Sequence, residues 1–438
     1  MMSVPVAPGR LPLLGHTVPM VRKRFAFTAN LREYGEVVQV DLGPMRTFFV
    51  TSARLTHQIL VSDAQSFHKG MMFDKFRPFV GDGLAMSDGA FHMRQRRMMQ
   101  PAFHRERIGA YAETMARAAR DLAGSWRPDE VRAIEVDMQG LAVTIVGETL
   151  FSTEIGKRAI DEARRSIFIV IKNAMYRVLS PGFVEKLPIP VNRQFDEAIA
   201  RLHAIVHEVI TSWRAEGVDH GDLLSMLLLA RDDETGEPMN DKQVYDEVMT
   251  LLTAGIETTA LALAWIFHEI AADPEVERRV LAEVDEVLGG RPVTFDDVPK
   301  LTYIQQVANE VLRMYPLWIL MRRTIADVNL GGVHLPPGTE VIISPHAMHF
   351  NPEYYHHPER FDPDRWTPEF ARELPKGAFI PFGAGNRMCI GNHFALTEIV
   401  IAVATVAARW RLAPVRPVRT KFTSAAYPVD LLMKVVPR

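Results

Sequence analysis

Cysteine is almost absent from this chain: Cys389 is the single example among 438 residues. One thiol excludes both an intramolecular disulfide and a zinc site that is built from several cysteines. Two interpretations remain, a buried structural thiol and a single thiolate ligand of a metal cofactor. Taken alone, a lone cysteine favours the structural interpretation, so its neighbours must decide.

Other features are missing as well. There is no run of about 18 consecutive apolar residues, which argues against a membrane-spanning helix. The first residues are rich in proline rather than basic and then apolar, so no signal sequence is expected. The net charge of −3 gives no reason to expect nucleic-acid binding. We therefore expect a cytoplasmic protein, and we expect it to be a monomer. A single domain is expected over residues 1–438, with a proline-rich segment over about residues 1–20.

The apolar pattern predicts a mainly α chain with a smaller β region. Capping residues and apolar periodicity predict helices over about residues 103–126, 134–152, 157–215, 241–272 and 273–289. The third of these is interrupted at residues 181–182 and 188–190, where proline and glycine occur. Alternation of apolar and polar residues, with turn residues between the runs, predicts a β-rich region over about residues 35–60 and 323–345.

The residues around the cysteine form a specific pattern, Phe-x-x-Gly-x-Arg-x-Cys-x-Gly. Its members are Phe382, Gly385, Arg387, Cys389 and Gly391. Glycines let the backbone turn tightly and approach a flat cofactor. A helix is expected after Cys389, and the positive end of its dipole would stabilise a thiolate. The pattern resembles the haem-binding loop of the cytochrome P-450 family.

This resemblance spans nearly the whole chain and implies the P-450 fold, with haem b between the long central helix and the cysteine-loop helix. It implies that Cys389 is the axial iron ligand and that Phe382, Arg387 and Gly391 contact the cofactor. The implied reaction inserts one atom of O₂ into an apolar small molecule. The chain is too short to include a flavin reductase, so we expect electrons from ferredoxin and ferredoxin reductase.

A second motif, Ala254-Gly255-Ile-Glu257-Thr258, interrupts the apolar pattern of the predicted helix over residues 241–272. Small residues at Ala254 and Gly255 let a helix pass close to a cofactor. The Thr258 hydroxyl can bond back to a carbonyl and open the helix locally. Glu257 adds an acid, so the two side chains can relay protons. The resemblance makes Thr258 and Glu257 the catalytic pair and places Ala254 and Gly255 at the haem.

Glu310 and Arg313 have the i,i+3 spacing that places two side chains on one helix face. As a bare motif this is usually an exposed pair. The family resemblance implies instead a structural brace behind the haem, completed by a second arginine. Arg365, in Pro363-Asp-Arg-Trp366, is our choice for this arginine, and Arg360 is the alternative.

The two haem propionates need cations. The resemblance and the i,i+4 spacing favour His92 and Arg96 together, with Arg322 and Arg387 as further candidates. Arg323 is the alternative to Arg322. An ordinary solvated basic residue is the alternative for each, and propionate binding is the favoured interpretation of the set.

By the same resemblance, the substrate pocket draws on apolar side chains from several segments, including about residues 165–190. Its predicted lining is Phe76, Phe79, Met86, Leu251, Trp318, Ile319 and Tyr427. The set has no charged member, which favours a compact neutral lipid such as a terpene. Other stretches of the chain resemble soluble bacterial members of the family that oxidise cyclic sesquiterpenes, and this resemblance implies such a substrate in secondary metabolism, such as antibiotic biosynthesis. A fatty acid, steroid or polyketide is the alternative substrate. A haem-thiolate sensor or electron carrier is the alternative from another class.

Overall fold

The computed structural model describes residues 4–179 and 184–438 of the chain. Its α-helices are α1 Thr17–Asn30, α2 Ala53–His57, α3 Met71–Val80, α4 Gly89–Met99, α5 Arg105–Ser125, α6 Ile134–Leu150, α7 Glu154–Leu179, α8 Pro190–Glu216, α9 Leu223–Leu229, α10 Asp241–Ala272, α11 Pro274–Leu288, α12 Thr302–Met314, α13 Pro345–His349, α14 Pro368–Glu373 and α15 Asn392–Ala407. Its strands are β1 Val37–Leu42, β2 Met45–Val50, β3 Phe67–Lys69, β4 Val131–Ala133, β5 Leu320–Thr324, β6 Val328–Leu330, β7 Val333–Leu335, β8 Glu340–Ile343, β9 Trp410–Pro414, β10 Arg419–Phe422, β11 Ala426–Val429 and β12 Leu432–Pro437.

The chain forms two compact units. The sheet unit consists of Met1–Asp74, Asn309–Cys389 and Lys421–Tyr427, and the helical unit consists of Lys75–Ala308, Ile390–Thr420 and Pro428–Arg438. That both belong to a single domain stays a prediction.

A five-stranded sheet organises the sheet unit, with strand order β1-β2-β8-β5-β3. β2 and β8 pair in parallel and the other neighbours are antiparallel. Gly43 makes the turn between β1 and β2 with a φ of 61°, a conformation that favours glycine. Buried aliphatic residues from both faces of this sheet form the core of the unit.

Helix α10 is the central element of the helical unit and packs against α6, α8, α11 and α15. It begins with a capping box, in which Asn240 and Gln243 satisfy each other's backbone N–H groups. Its length and apolar composition would allow it to cross a membrane, but 61% of its most apolar window is buried. That burial is typical of a core helix.

The predicted element order agrees with the structure in most places. The helix predicted over residues 241–272 has those bounds, and Asp273, Pro274 and Gly289 begin and end α11 as expected. The predicted interruption at residues 188–190 coincides with the start of α8. The one predicted at residues 181–182 lies outside the described residues. Helices α1 to α4 were not predicted.

Candidate active site

The loop before Cys389 is shaped by two glycines. Gly383 and Gly385 have φ values of 70° and 69°, and a Cβ on Gly385 would lie 2.1 Å from the Leu60 carbonyl oxygen. Any other residue at 385 would therefore clash with the backbone. The Cys389 N–H donates to the carbonyl of Phe382 at 2.9 Å, which closes the loop and leaves Cys389 exposed.

Gly391 differs from these two glycines. Its φ is −92°, which any residue adopts, and an added Cβ would meet Phe103 at an ordinary 3.7 Å. Neither the backbone nor the packing described here requires glycine at this position. A cofactor against the backbone remains the reason implied by the family motif.

The Glu310 carboxylate lies at the centre of a buried network in the sheet unit. Its Oε1 accepts hydrogen bonds from Arg313 Nη2 (2.8 Å), Arg365 Nε (3.0 Å) and the Asp362 N–H (3.0 Å). Its Oε2 accepts from Arg313 Nε (2.8 Å) and the Trp366 indole N–H (2.9 Å). The side chains of Glu310 and Arg313 are fully buried. Burial without this set of partners would be very costly for the charges.

Arg313 uses its remaining donors on backbone carbonyls. Nη1 donates to His349 (2.9 Å) and Pro358 (2.7 Å), and Nη2 donates to Arg360 (3.2 Å). Arg360 thus contributes its carbonyl to the network, whereas Arg365 contributes a guanidinium to Glu310. The geometry favours Arg365 over Arg360 as the third member of the brace.

His349 connects this network to the segment that leads into the cysteine loop. Its Nδ1 donates to the Arg313 carbonyl at 3.1 Å and its Nε2 accepts from the Ile380 N–H at 3.0 Å. Burial lowers the pKa of His349 to about 3, so the ring stays neutral. The role of Trp366 in this network was not predicted from the sequence.

Helix α10 carries a narrow face that protein atoms leave uncovered. Ala254 and Thr258 are exposed although most neighbours in the helix are buried, and Leu251 and Leu261 are half-buried at the adjacent positions. Spacings of three and four residues place these four side chains, the α10 stripe, on one side. Thr258 Oγ1 donates to the Ala254 carbonyl at 2.9 Å, as predicted. The helix nevertheless continues unbroken through this position.

Gly255 and Glu257 lie beside the stripe. A Cβ on Gly255 would approach Val146 of α6 to 3.3 Å, closer than most such contacts. Packing of α10 on α6 therefore explains this glycine, where the prediction invoked the cofactor. Glu257 is half-buried one position before Thr258, so an acid and a hydroxyl are adjacent along the helix.

A second buried carboxylate, Glu247, holds the loop before α4. Its Oε2 accepts the Leu84 N–H at 2.8 Å, and the Leu84 carbonyl accepts from His92 Nδ1 at 3.2 Å. The backbone N–H and carbonyl of one residue, Leu84, thus join α10 to His92. Burial, with smaller contributions from the charges of Asp246 and Asp82, raises the pKa of Glu247 to about 8. The sequence analysis missed Glu247.

The basic residues that were predicted to bind the haem propionates occupy different environments. His92 is buried on α4 and Arg96 is half-buried one turn later on the same helix. On β5, Arg323 donates to Glu340 (2.6 Å) and to Asp74 (2.8 Å), so two carboxylates already engage it. Arg322 is buried and donates to the Met321 carbonyl. The two carboxylates that engage Arg323 count against it as the propionate ligand, and Arg322 stays the predicted one.

Trp318, which was predicted to line the pocket, has a packing role that the prediction did not include. It is buried in a core cluster of the sheet unit with Met20 and Phe27, and its indole N–H donates to Thr28 Oγ1 at 3.3 Å. It therefore serves the packing of α1 on the sheet. Ile319 is half-buried against the same cluster.

The remaining predicted pocket residues differ in how deeply they are buried. In the helical unit, Phe79 is buried edge-on against Phe195, with ring centres 4.8 Å apart. Phe76, Met86 and Leu251 are half-buried. In the sheet unit, the half-buried Tyr427 shares a hydrogen bond of 2.9 Å with Ser424.

A loop that presents one thiol, held by a buried Glu–Arg–Arg network, together with an acid–threonine pair on a long apolar helix, defines the haem-thiolate class. The family model for cytochrome P450 matches residues 5–434, and the chain belongs to that family. It is a haem-dependent monooxygenase.

Three curated relatives come from Streptomyces. Cyclooctat-9-en-7-ol 5-monooxygenase of Streptomyces melanosporofaciens is 48% identical, over 93% of this chain and 89% of the relative. Cyclooctatin synthase of the same species is 42% identical, over 94% and 90%. Pentalenene oxygenase of Streptomyces avermitilis is 36% identical, over 94% and 93%.

A solved structure gives the same result for the fold. The crystal structure of the cytochrome P450DA haem domain superposes with a TM-score of 0.87 at 27% identity, covering 99% of this chain and 98% of that one.

Each unit contains residues that suit haem b. In the sheet unit, Cys389 is exposed on a rigid loop, and Arg322 and Arg387 are cations able to bind carboxylates. In the helical unit, the α10 stripe is a narrow apolar face, and His92 and Arg96 share one side of α4. Among the described residues, no group of three or more His, Cys, Asp or Glu side chains could hold a metal ion.

Proposed function

We propose that this monooxygenase oxidises a cyclic terpene in secondary metabolism, with haem b bound through the Cys389 thiolate. The observation that carries the assignment is the sole thiol of the chain, exposed on a loop that the Glu310 network holds. Thiolate-ligated haem supplies the activation of O₂ that the reaction requires. All other roles below belong to side chains of this protein.

Glu257 and Thr258 are proposed to deliver protons during oxygen activation. Thr258 donates its hydroxyl proton to the Ala254 carbonyl, so its oxygen lone pairs are oriented away from that bond. The Thr258 oxygen can therefore accept a hydrogen bond from a water molecule that carries a proton to the site. Glu257, one residue earlier, is the acid that can exchange protons with solvent.

His92, Arg96, Arg322 and Arg387 are proposed to bind the propionates. The Nδ1 proton of His92 is directed to Leu84, which orients the ring on α4. Phe382, Gly391 and Ala254 are proposed as neighbours of the macrocycle. Glu310, Arg313 and Arg365 act through the loop that they position rather than on the cofactor itself.

An uncharged substrate fits the contacts better than a fatty acid does. A carboxylate substrate needs an available cation, and Lys75 and Arg77 are the basic residues of α3, the helix that carries Phe76 and Phe79. Lys75 forms an ion pair with Glu185 at 3.0 Å, and Arg77 forms one with Asp82 at 3.2 Å. Both cations are thus neutralised. The relatives named for cyclooctat-9-en-7-ol and pentalenene support a cyclic terpene.

The electron donors, the oligomeric state and the localisation of the protein complete the proposal. We propose ferredoxin and ferredoxin reductase as the donors and a cytoplasmic monomer as the working form. Consumption of NADPH by the reconstituted system, dependent on substrate, distinguishes a monooxygenase from a haem-thiolate sensor or electron carrier. A sensor would bind ligand without turnover.

Substrate binding tests the terpene assignment. The purified holoenzyme should shift from low to high spin with one or more cyclic terpene hydrocarbons or alcohols, and the same compound should gain one oxygen atom on turnover. Fatty acids of similar size serve as the control. A spin shift and product with fatty acids, and none with a panel of terpenes, would overturn the assignment.

Thr258→Ala tests the proton relay. The variant should still consume NADPH while the yield of product per NADPH falls roughly tenfold or more. Thr253→Ala is the matched control, because Thr253 makes the same bond to the carbonyl four residues earlier, at 2.7 Å, but lies off the α10 stripe. Equal coupling in the two variants would remove Thr258 from the relay.

A further inference from the structure

Two turns lie side by side at one end of the five-stranded sheet. The first closes through mutual backbone hydrogen bonds between Leu11 and Gly15 (2.8 and 2.9 Å). The second joins β1 to β2, and the N–H of its Gly43 donates to the Leu14 carbonyl at 3.2 Å. Together they expose the leucine patch, which consists of Leu11, Pro12, Leu13, Leu14 and Pro44.

Leu13 is unusual in both exposure and backbone conformation. It is 92% exposed, and its φ of 60° lies in the left-handed region that leucine avoids. The other non-glycine residues with positive φ in the described chain are Asp129, His357 and Asp430, which are polar types that tolerate this conformation better. Neither packing nor backbone preference accounts for leucine at 13. Strain of this kind points to a role in function.

The charge around the leucine patch is positive. Arg10 and Arg46 border the same surface depression as Leu11 and Leu13. The acid that borders it, Asp41, is only 6% exposed and pairs with Arg10 at 2.7 Å. Arg46 is exposed. An apolar tip with cations beside it therefore faces solvent.

We propose that the leucine patch docks the enzyme on the surface of an anionic lipid bilayer. Apolar side chains on a turn can enter the boundary between headgroups and acyl chains, while arginines contact lipid phosphates. Five residues are too few for a stable protein interface, which takes about 20–30 residues a side. The benefit, access to an apolar substrate that partitions into lipid, rests on the proposed function; the docking itself does not.

Vesicle co-sedimentation of the holoenzyme tests the proposal. We expect binding to vesicles of phosphatidylcholine with phosphatidylglycerol, weakened by salt, and little binding to phosphatidylcholine alone. Leu13→Asn should lower the partition coefficient roughly tenfold, as expected for withdrawing one leucine from an apolar phase. Asparagine tolerates a positive φ, so thermal stability should stay equal or rise. Arg46→Gln should weaken binding to the anionic vesicles alone.

Leu229→Asn is the matched control, since Leu229 is 51% exposed at the end of α9 and outside the patch. It should bind vesicles as the wild type does. No binding of the wild type to anionic vesicles, or equal binding by Leu13→Asn, overturns the proposal. A loss in Leu13→Asn of self-association or of ferredoxin affinity, without loss of vesicle binding, also overturns it. Vesicle binding without terpene turnover would instead contradict the proposed substrate and leave docking intact.

Discussion

Two buried carboxyl groups hold two different segments of this protein, and they do so with different partners. Glu310 in the sheet unit accepts five hydrogen bonds, three of them from two guanidinium groups. Glu247 in the helical unit accepts the Leu84 N–H and has acidic neighbours, and its pKa is raised to about 8. Burial is complete for both side chains.

The difference shows that burial alone does not determine the environment of a carboxyl group. The hydrogen-bond donors around it also do. In the brace, the buried Glu310 carboxylate accepts hydrogen bonds from two guanidinium groups, which offset the cost of its burial. A carboxyl group with one backbone donor is protonated at neutral pH. The loop that orients His92 is therefore held by a group that titrates near physiological pH.

Removal of the brace should have the largest effect on stability. Glu310→Gln replaces acceptor lone pairs with an amide N–H₂ directed at guanidinium groups and leaves Arg313 buried without its counter-charge. We expect a loss of about 3–5 kcal/mol in the free energy of unfolding. Denaturant unfolding of the holoenzyme measures it, with Glu359→Gln, an exposed carboxylate on the adjacent segment, as the control. A small loss in Glu310→Gln would show that the network does not brace the loop.

Titration of Glu247 sharpens the contrast. Its pKa is raised on folding, so the stability it contributes is complete below the unfolded value of about 4.5 and is lost as pH rises through about 8. Between pH 6 and 8 the wild type should lose about 2 kcal/mol that Glu247→Gln does not lose. Unfolding midpoints at several pH values measure this. Parallel curves for the two proteins would mean that Glu247 is already ionised at neutral pH.

The choice of the third brace residue gives a smaller effect. Arg365 donates Nε to Glu310 and Nη1 to the His356 carbonyl at 3.0 Å, a span that a lysine ammonium cannot cover. Arg365→Lys should cost about 2 kcal/mol of stability. Arg360→Lys should cost almost nothing, because Arg360 contributes its backbone carbonyl. Equal losses in the two variants would refute the assignment.

Capping residues made the helices of the helical unit predictable. Asn240, Asp273, Pro274 and Gly289 are local signals, and α10 and α11 begin and end where these signals lie. The cysteine motif was equally local, since Gly383 and Gly385 adopt the left-handed conformations that their residue type suggests.

Long-range contacts decided what the sequence left open. Arg360 and Arg365 both follow a proline and an acid, and only the folded chain shows which guanidinium meets Glu310. Arg322 and Arg323 point to opposite sides of β5, so the sheet register separates them. The packing of Trp318 in the core was not predicted, because an apolar side chain near a strand suits a core as well as a pocket.

The smallest predicted effect concerns Trp366. Its indole N–H donates to Glu310 Oε2 at 2.9 Å, and Phe379 packs against its ring with centres 4.4 Å apart. Trp366→Phe should retain the ring packing, lose one charge-assisted hydrogen bond and cost about 1.5 kcal/mol. Thermal unfolding beside Arg365→Lys measures it. No change in Trp366→Phe would mean that Arg313, Arg365 and the Asp362 N–H satisfy the carboxylate without the indole.

The reduced carbon monoxide spectrum of the purified holoenzyme tests the central claim most directly, because the Soret position reports the ligand opposite carbon monoxide. With Cys389 bound as a thiolate, the band should lie at the red-shifted position typical of thiolate-ligated haem, and Cys389→Ser should lose it. A wild-type band at the position typical of imidazole-ligated haem would contradict the assignment of Cys389 as the iron ligand.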